Sequence, residues 1–218
     1  GLGVVPLPDR DAVGAMFDPT PQDRVFRLPT IGPHVSRRQA LRAWSRVLGL
    51  GAGGSAMREP ADPFEVLAEE DVAAAVGSLR DKLFRDALLD WLSPGVFPPD
   101  ALPPAMSALV SRGLGVRRRT RSRRASGGPL DWAGTGHLPV DTAEQLRLDW
   151  RMRGLARRLP PGARADVLAM VAGMAWRSGD GAVAAVAADK ALEDDPRHTL
   201  AGLLGQLVAA GVRPQRGC

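Results

Sequence analysis

Six guanidinium groups lie within eight residues of this 218-residue chain: Arg117, Arg118, Arg119, Arg121, Arg123 and Arg124. Each is a permanent cation whose planar fork of donors fits a phosphate. Each phosphate that such a run neutralises adds to the salt dependence of binding. Gly and Ser flank the run and would let it mould to nucleic acid or an anionic surface. No aromatic residue is interleaved for base stacking, and Trp132 lies eight residues past the end. The run is the one candidate binding site, with a polyanion as ligand class; the competing expectation is a solvated linker. A phosphate on Ser126, which follows Arg123-Arg124, would form local arginine contacts.

The run also accounts for the charge of the chain. The total is 29 Lys+Arg against 24 Asp+Glu, a net of +5, whereas outside the run 23 basic residues face 24 acidic ones. A uniformly basic, histone-like protein is therefore excluded. Arg outnumbers Lys 27 to 2 and Asn is absent, a pattern of GC-rich coding that lowers the weight of any arginine count.

Other residue types do not assemble into a recognised chemistry. His34, His137 and His198 are far apart in sequence, with no H-x-x-x-H or Cys/His cluster, so no metal is expected. His198 reads as a surface or packing residue. Residues 49–54 match G-x-G-x-x-G, but an amphipathic helix precedes them and a proline-containing loop follows. A dinucleotide site needs a strand before and a helix after, so this is a helix-terminating loop. Neither a Walker A sequence nor a G-x-S-x-G elbow occurs. Cys218, the single cysteine, allows no intrachain disulfide and is a poor nucleophile at a chain end. Glu69-Glu70-Asp71 and Glu193-Asp194-Asp195 fall at helix ends, where the dipole favours acids. Asp-Trp occurs at Trp91, Trp132 and Trp150; Trp91 and Trp150 lie on helical patterns and read as core anchors. No catalytic residue, cofactor or metal ligand is assigned.

The elements follow from caps and periodicity. Asp9 caps a short helix through Phe17. Ser36 and Gln39 form a capping box before Ala40, Leu41, Trp44, Val47 and Leu48, and Gly49 ends that helix. Val72, Val76, Leu79, Leu83, Ala87, Leu88 and Trp91 recur at helical steps, with Gly77 as a break. A short helix is expected over 101–110, and a linker or surface loop over 113–136. Asp141 and Glu144 form a second capping box, ahead of a helix with Leu146, Trp150 and Leu155 inward. Three helices close the chain: about 161–177, then to about 193, then one capped by Asp195-Pro196 with Leu200, Leu203, Leu204, Leu207 and Val208 as its apolar stripe. Only Val4-Val5 reads as strand. The longest uncharged apolar stretch, residues 200–212, is short of the ~18 residues a membrane span needs. The start shows no signal-peptide pattern.

Residues 181–196 resemble the second helix of a tetratricopeptide repeat. Ala184, Ala191 and Pro196 stand where that family has two small residues and a closing proline, whereas Ala172 and Ala175 replace its usual Gly and aromatic. A solenoid needs about three repeats and one is found, so a packed α-hairpin is expected. Ala175-Trp176-Arg177-Ser178-Gly179-Asp180-Gly181-Ala182, followed by Ala188-Asp189-Lys190-Ala191-Leu192-Glu193-Asp194-Asp195-Pro196, resembles the C-terminal signature of domain-of-unknown-function family 4192, of high-GC Gram-positive bacteria. Val5-Pro6-Leu7-Pro8-Asp9-Arg10 and Arg85-Asp86-Ala87-Leu88-Leu89 are similar to upstream family positions. The resemblance implies an α/β portion preceding this chain and no activity; the arginine run reads as an insertion.

The expected fold is all-α or nearly so, a helical bundle with a tetratricopeptide-like C-terminal three-helix unit. Residues 1–112 form an N-terminal helical part, 113–140 an Arg/Gly/Ser-rich linker, and 141–212 the C-terminal unit. The functional expectation is a cytoplasmic helical scaffold with an unidentified protein partner and no catalytic site. The alternatives are polyanion binding through the arginine run, and a helical accessory to an enzyme whose catalytic portion precedes the chain.

Overall fold

In a computed structural model, residues 9–29, 35–50, 62–98, 100–115 and 142–212 are described, with Thr142 described by its backbone alone. The described residues hold nine helices and no strand: α1 Arg10–Ala15, α2 Arg37–Val47, α3 Glu69–Ser78, α4 Lys82–Leu92, α5 Pro104–Leu114, α6 Thr142–Arg158, α7 Ala165–Ser178, α8 Gly181–Asp194 and α9 Thr199–Ala209. The all-α class is observed. The Val4-Val5 strand, the Asp141 cap and residues 51–54 of the glycine loop lie outside the described residues.

Several boundaries form as their caps dictate. Asp9 accepts from the Ala12 amide and Ser36 from the Gln39 amide. A side-chain oxygen at the N-cap satisfies a donor that has no partner inside the helix. Asp81 takes the Leu83 and Phe84 amides, so the long apolar pattern around Gly77 becomes two helices, α3 and α4. Gly179, at φ +89°, closes α7, and Asp180 at once caps α8.

Four expectations are corrected. The 101–110 helix runs instead over α5, because Pro104 suits the first helical turn while Pro103 stays extended. The last helix is capped by His198, not Asp195, and Pro196 lies in the preceding turn. Leu203 faces solvent, while Leu200, Ala201 and Leu204 face inward. In α6, Leu148, Met152, Leu155 and Ala156 are buried, whereas Leu146 and Trp150 are 64% and 51% exposed. That helix carries two interleaved apolar sets at helical spacing. The longer one, continued by Leu159 just beyond its end, takes the core; Trp150 is therefore no core anchor, though Trp91 is.

The core is centred on α7, which buries ten of its 14 residues, including the unbroken stretch 167–175. It packs on α8 through Ala184, Ala187, Ala188 and Ala191, small residues that let two backbones approach. α6, α9 and α4 also contact α7, and one continuous apolar cluster joins all of them to α2, α3 and α5. Two glycines set close approaches that position the surface described next. A Cβ on Gly113 of α5 would sit 2.5 Å from Leu41 of α2, and one on Gly154 of α6 would sit 2.6 Å from the Phe64 ring.

Candidate polyanion-binding face

The arginines of the run, Arg117, Arg118, Arg119, Arg121, Arg123 and Arg124, lie outside the described residues, as do His34, His137 and Trp132. The last described residue before the run is Gly115. Trp91 Nε1 donates to its carbonyl at 2.9 Å, which ties the end of α5 to α4. The close contact of Gly113 with Leu41 then sets that end beside α2.

α2 buries Ala40, Leu41, Ala43, Trp44 and Val47 and turns Arg37, Arg38, Arg42 and Arg46 outward. Arg38, Arg42 and Arg46 follow at i, i+4 and i+8, so they share one face. With Leu41, Ser45 and Gly113 they border a shallow groove of about 390 Å³ between α2 and α5. Arg46 Nη1 holds both oxygens of Asp71, at 2.6 and 2.7 Å. That hydrogen bonding and the Asp71 charge raise its pKa above the usual arginine value. Arg37 reaches Asp81 at 3.3 Å. Arg38 and Arg42 have no partner among the described residues, and both are exposed. Neither the capping box nor the apolar stripe of this helix singles out the pair. The arginines opposite that stripe were the available signal.

The arginines of α6 are spent differently. Arg147 donates to the carbonyls of Leu48 and Gly49, and Arg151 to that of Val47 at 3.1 Å. These lie at the C-terminus of α2, where carbonyls lack intrahelical partners and the dipole favours cations. Arg157 and Arg158 close on Asp23 at 2.9 and 2.5 Å, and Arg158 also holds Asp62 at 2.6 Å. The Arg158 guanidinium lies over the Phe64 ring, 4.6 Å from its centroid. Burial pushes the Asp23 carboxyl up, but hydrogen bonds from Thr20 and the charges of Arg158 and Arg157 outweigh it and leave its pKa lowered. Asp149, paired with Arg153 at 2.8 Å, goes the other way: burial raises it more than Arg153 lowers it, and the Asp180 charge adds to the rise.

One further cluster has the outline of a catalytic dyad. His198 Nε2 lies 2.9 Å from Asp166 Oδ1, and Arg85 Nη1 meets the same oxygen at 3.3 Å. The Ala201 amide, however, donates to His198 Nδ1 at 3.2 Å. The proton of the neutral ring therefore sits on Nε2, facing Asp166, and no lone pair is left to take a proton from a nucleophile. Of the two expectations for His198, surface or packing residue, burial fits the second, and its ring also caps α9. Among the described residues no group of three or more His, Cys, Asp or Glu is arranged to hold a metal ion. None of their helices is long and apolar enough to cross a membrane.

Residues 139–215 match the family described as a domain of unknown function, DUF4192. The matched stretch contains α6 to α9; the arginine run and α1 to α5 lie before it. No curated protein and no solved structure matches the chain.

Proposed function

We propose, for a chain whose residues 139–215 match the DUF4192 family, that it is a non-catalytic helical unit that binds a polyanion on the α2 face. The observation that carries this reading is the pair Arg38 and Arg42. They are exposed, one turn apart and without a carboxylate among the described residues, while the arginines of α6 are tied to carboxylates or helix-end carbonyls. A pair of free guanidiniums one helical turn apart can bridge successive phosphates. The arginine run begins two residues after Gly115 and supplies six more cations next along the chain. The single cysteine, which needs no oxidising compartment, supports a cytoplasmic setting.

The test is fluorescence-anisotropy binding to duplex DNA across a salt series. The full chain should bind at low salt with an affinity that falls steeply as salt rises. Changing Arg38 and Arg42 to Ser should lower the slope of log K against log salt by about 2, one contact each. Changing the six run arginines to Ser should lower it further. Equal binding by all three proteins, or none at low salt, sinks the reading.

A second reading is favoured by a separate observation. Leu146 and Trp150 stand one turn apart on the outer side of α6, and Trp150 packs on Phe64 with ring centroids 6.1 Å apart. An anchored, half-exposed Trp beside an exposed Leu is the composition of a protein-binding hot spot. The tetratricopeptide-like α7–α8 hairpin, with Ala184 and Ala191 buried between its helices, would be the rigid support of such a scaffold. Affinity capture from nuclease-treated lysate should then retain a partner that the Leu146→Ser/Trp150→Ser variant loses and the Arg38/Arg42 variant keeps.

A further inference from the structure

A cleft of about 550 Å³ opens between α3, the first turn of α7 and the turn that leads into α9. Its size lies within the ~300–1,000 Å³ common for small-molecule sites. Most of its polar lining is committed. Asp194 has both oxygens filled by the amides of Gly162, Arg164 and Ala165 and by Arg164 Nε. His198 has no free ring nitrogen. Asp195 takes the Arg197 amide on Oδ1 and is exposed, with its Oδ2 open to solvent at the cleft rim. Two further groups are not committed. Asp166 receives both Arg85 and His198 on Oδ1, so its Oδ2 has no partner among the described residues. Arg80, just past α3, is exposed and has none either. Leu28, Val76 and Pro196 give the cleft an apolar wall.

We infer that this cleft binds a small carboxylate that carries an apolar side group and an N–H donor. That chemistry is shared by a free aliphatic amino acid and by the C-terminal residue of a peptide. Arg80 takes the carboxylate, the charge-assisted pairing for which its fork is shaped. Asp166 Oδ2 accepts the N–H, its direction set by two donors on the other oxygen. Arg85, only 7% exposed, already offsets the Asp166 charge, so a neutral amide N–H suffices as donor. The side group lies against Leu28, Val76 and Pro196 and leaves water. A polyphosphate does not fit, because Asp166, Asp194 and Asp195 would repel it. The cleft shares no residue with the α2 face, so the inference does not rest on polyanion binding.

The test is calorimetric titration of the full chain with N-acetyl-L-leucine, L-leucine and L-leucinamide. At least one of the first two should bind. Binding of the acetylated probe alone identifies a peptide end, of leucine alone a free amino acid, and of both the shared chemistry. Leucinamide, which lacks the carboxylate, should bind about tenfold more weakly or not at all, and Arg80→Ala should weaken the leucine probes by a similar factor. Asp166→Asn turns the free acceptor into a donor and should do the same. Arg80 is exposed, so its loss leaves the fold in place, which a thermal melt checks. No binding of either leucine probe at about 10 mM, equal binding of leucinamide, or binding unchanged in Arg80→Ala overturns the inference.

Discussion

Helices α2 and α6 are both rich in arginine, yet the residue does opposite work in the two. α6 carries Arg147, Arg151, Arg153, Arg157 and Arg158, and each finds a carboxylate or a helix-end carbonyl. Most of the contacts reach far along the chain, to Asp23, Val47, Leu48, Gly49 and Asp62. α2 carries Arg37, Arg38, Arg42 and Arg46, of which, among the described residues, only the first and last have a carboxylate. The number of cations on a helix therefore says little about polyanion binding. What matters is whether the fold brings an acid or an open helix C-terminus opposite them. On α6 the arginines are fasteners; on α2 the middle pair has no partner among the described residues.

The sharpest way to break this comparison is to remove a fastener. Arg158 is 6% exposed between Asp23 and Asp62. Arg158→Ala leaves two carboxylates facing one fewer cation and should cost about 3–5 kcal/mol in urea unfolding. A loss below about 1 kcal/mol would show that the α6 arginines are no more structural than those of α2.

Asp23 gives the same contrast a pH dependence. Its pKa is lowered in the folded state, so its stabilisation is fully present above the unfolded carboxylate value of about 3.9. It is lost as pH falls through the lowered folded value. Asp23→Asn should lose about 2 kcal/mol at neutral pH and converge with the parent chain in acid. Asp149 has the opposite sign: its pKa is raised, so its contribution is present below the unfolded value and lost as pH rises through the folded one. Urea midpoints that separate equally at pH 7 and pH 2 would refute the assignment for Asp23.

A smaller effect tests how closely α6 must lie on its support. Gly154→Ala gains helix propensity, but its Cβ would meet the buried Phe64 ring. We expect a net loss of about 1–2 kcal/mol by thermal melting. The smallest stability effect belongs to α2: Arg38→Ser with Arg42→Ser should shift stability by no more than about 0.5 kcal/mol. A large loss there would mean that this pair, too, is structural.

Legibility in the sequence was uneven for physical reasons. Caps are local, so Asp9, Ser36 and the glycine stop after α2 could be read directly. The split at Gly77 was visible as well, with Asp81 supplying the second cap. The register of α6 was not legible, because Leu146–Trp150 and Leu148–Met152–Leu155 are equally periodic. Only the contacts with α7 and Phe64 choose between them. The capping and pairing role of His198 was not legible for a related reason. Its role needs Asp166 from another helix on one ring nitrogen, a partner that no spacing within its own segment encodes. Of the candidate site, the arginine run was conspicuous in composition, whereas Arg38 and Arg42 became distinct only once their neighbours on α2, Arg37 and Arg46, could be matched to Asp81 and Asp71.

By itself, then, the order of residues determined the helical class, most helix ends, the local origin of the net charge and the resemblance over the last third of the chain. Those properties depend on neighbours within one or two turns, and short-range hydrogen bonds and apolar periodicity decide them. Tertiary structure decided which arginines are bound and which are free, which face of α6 is dry, and which oxygen of Asp166 remains open. Each of these is a contest between groups some 30 to 130 residues apart, and its outcome is set by packing around α7, where burial makes a missing partner costly.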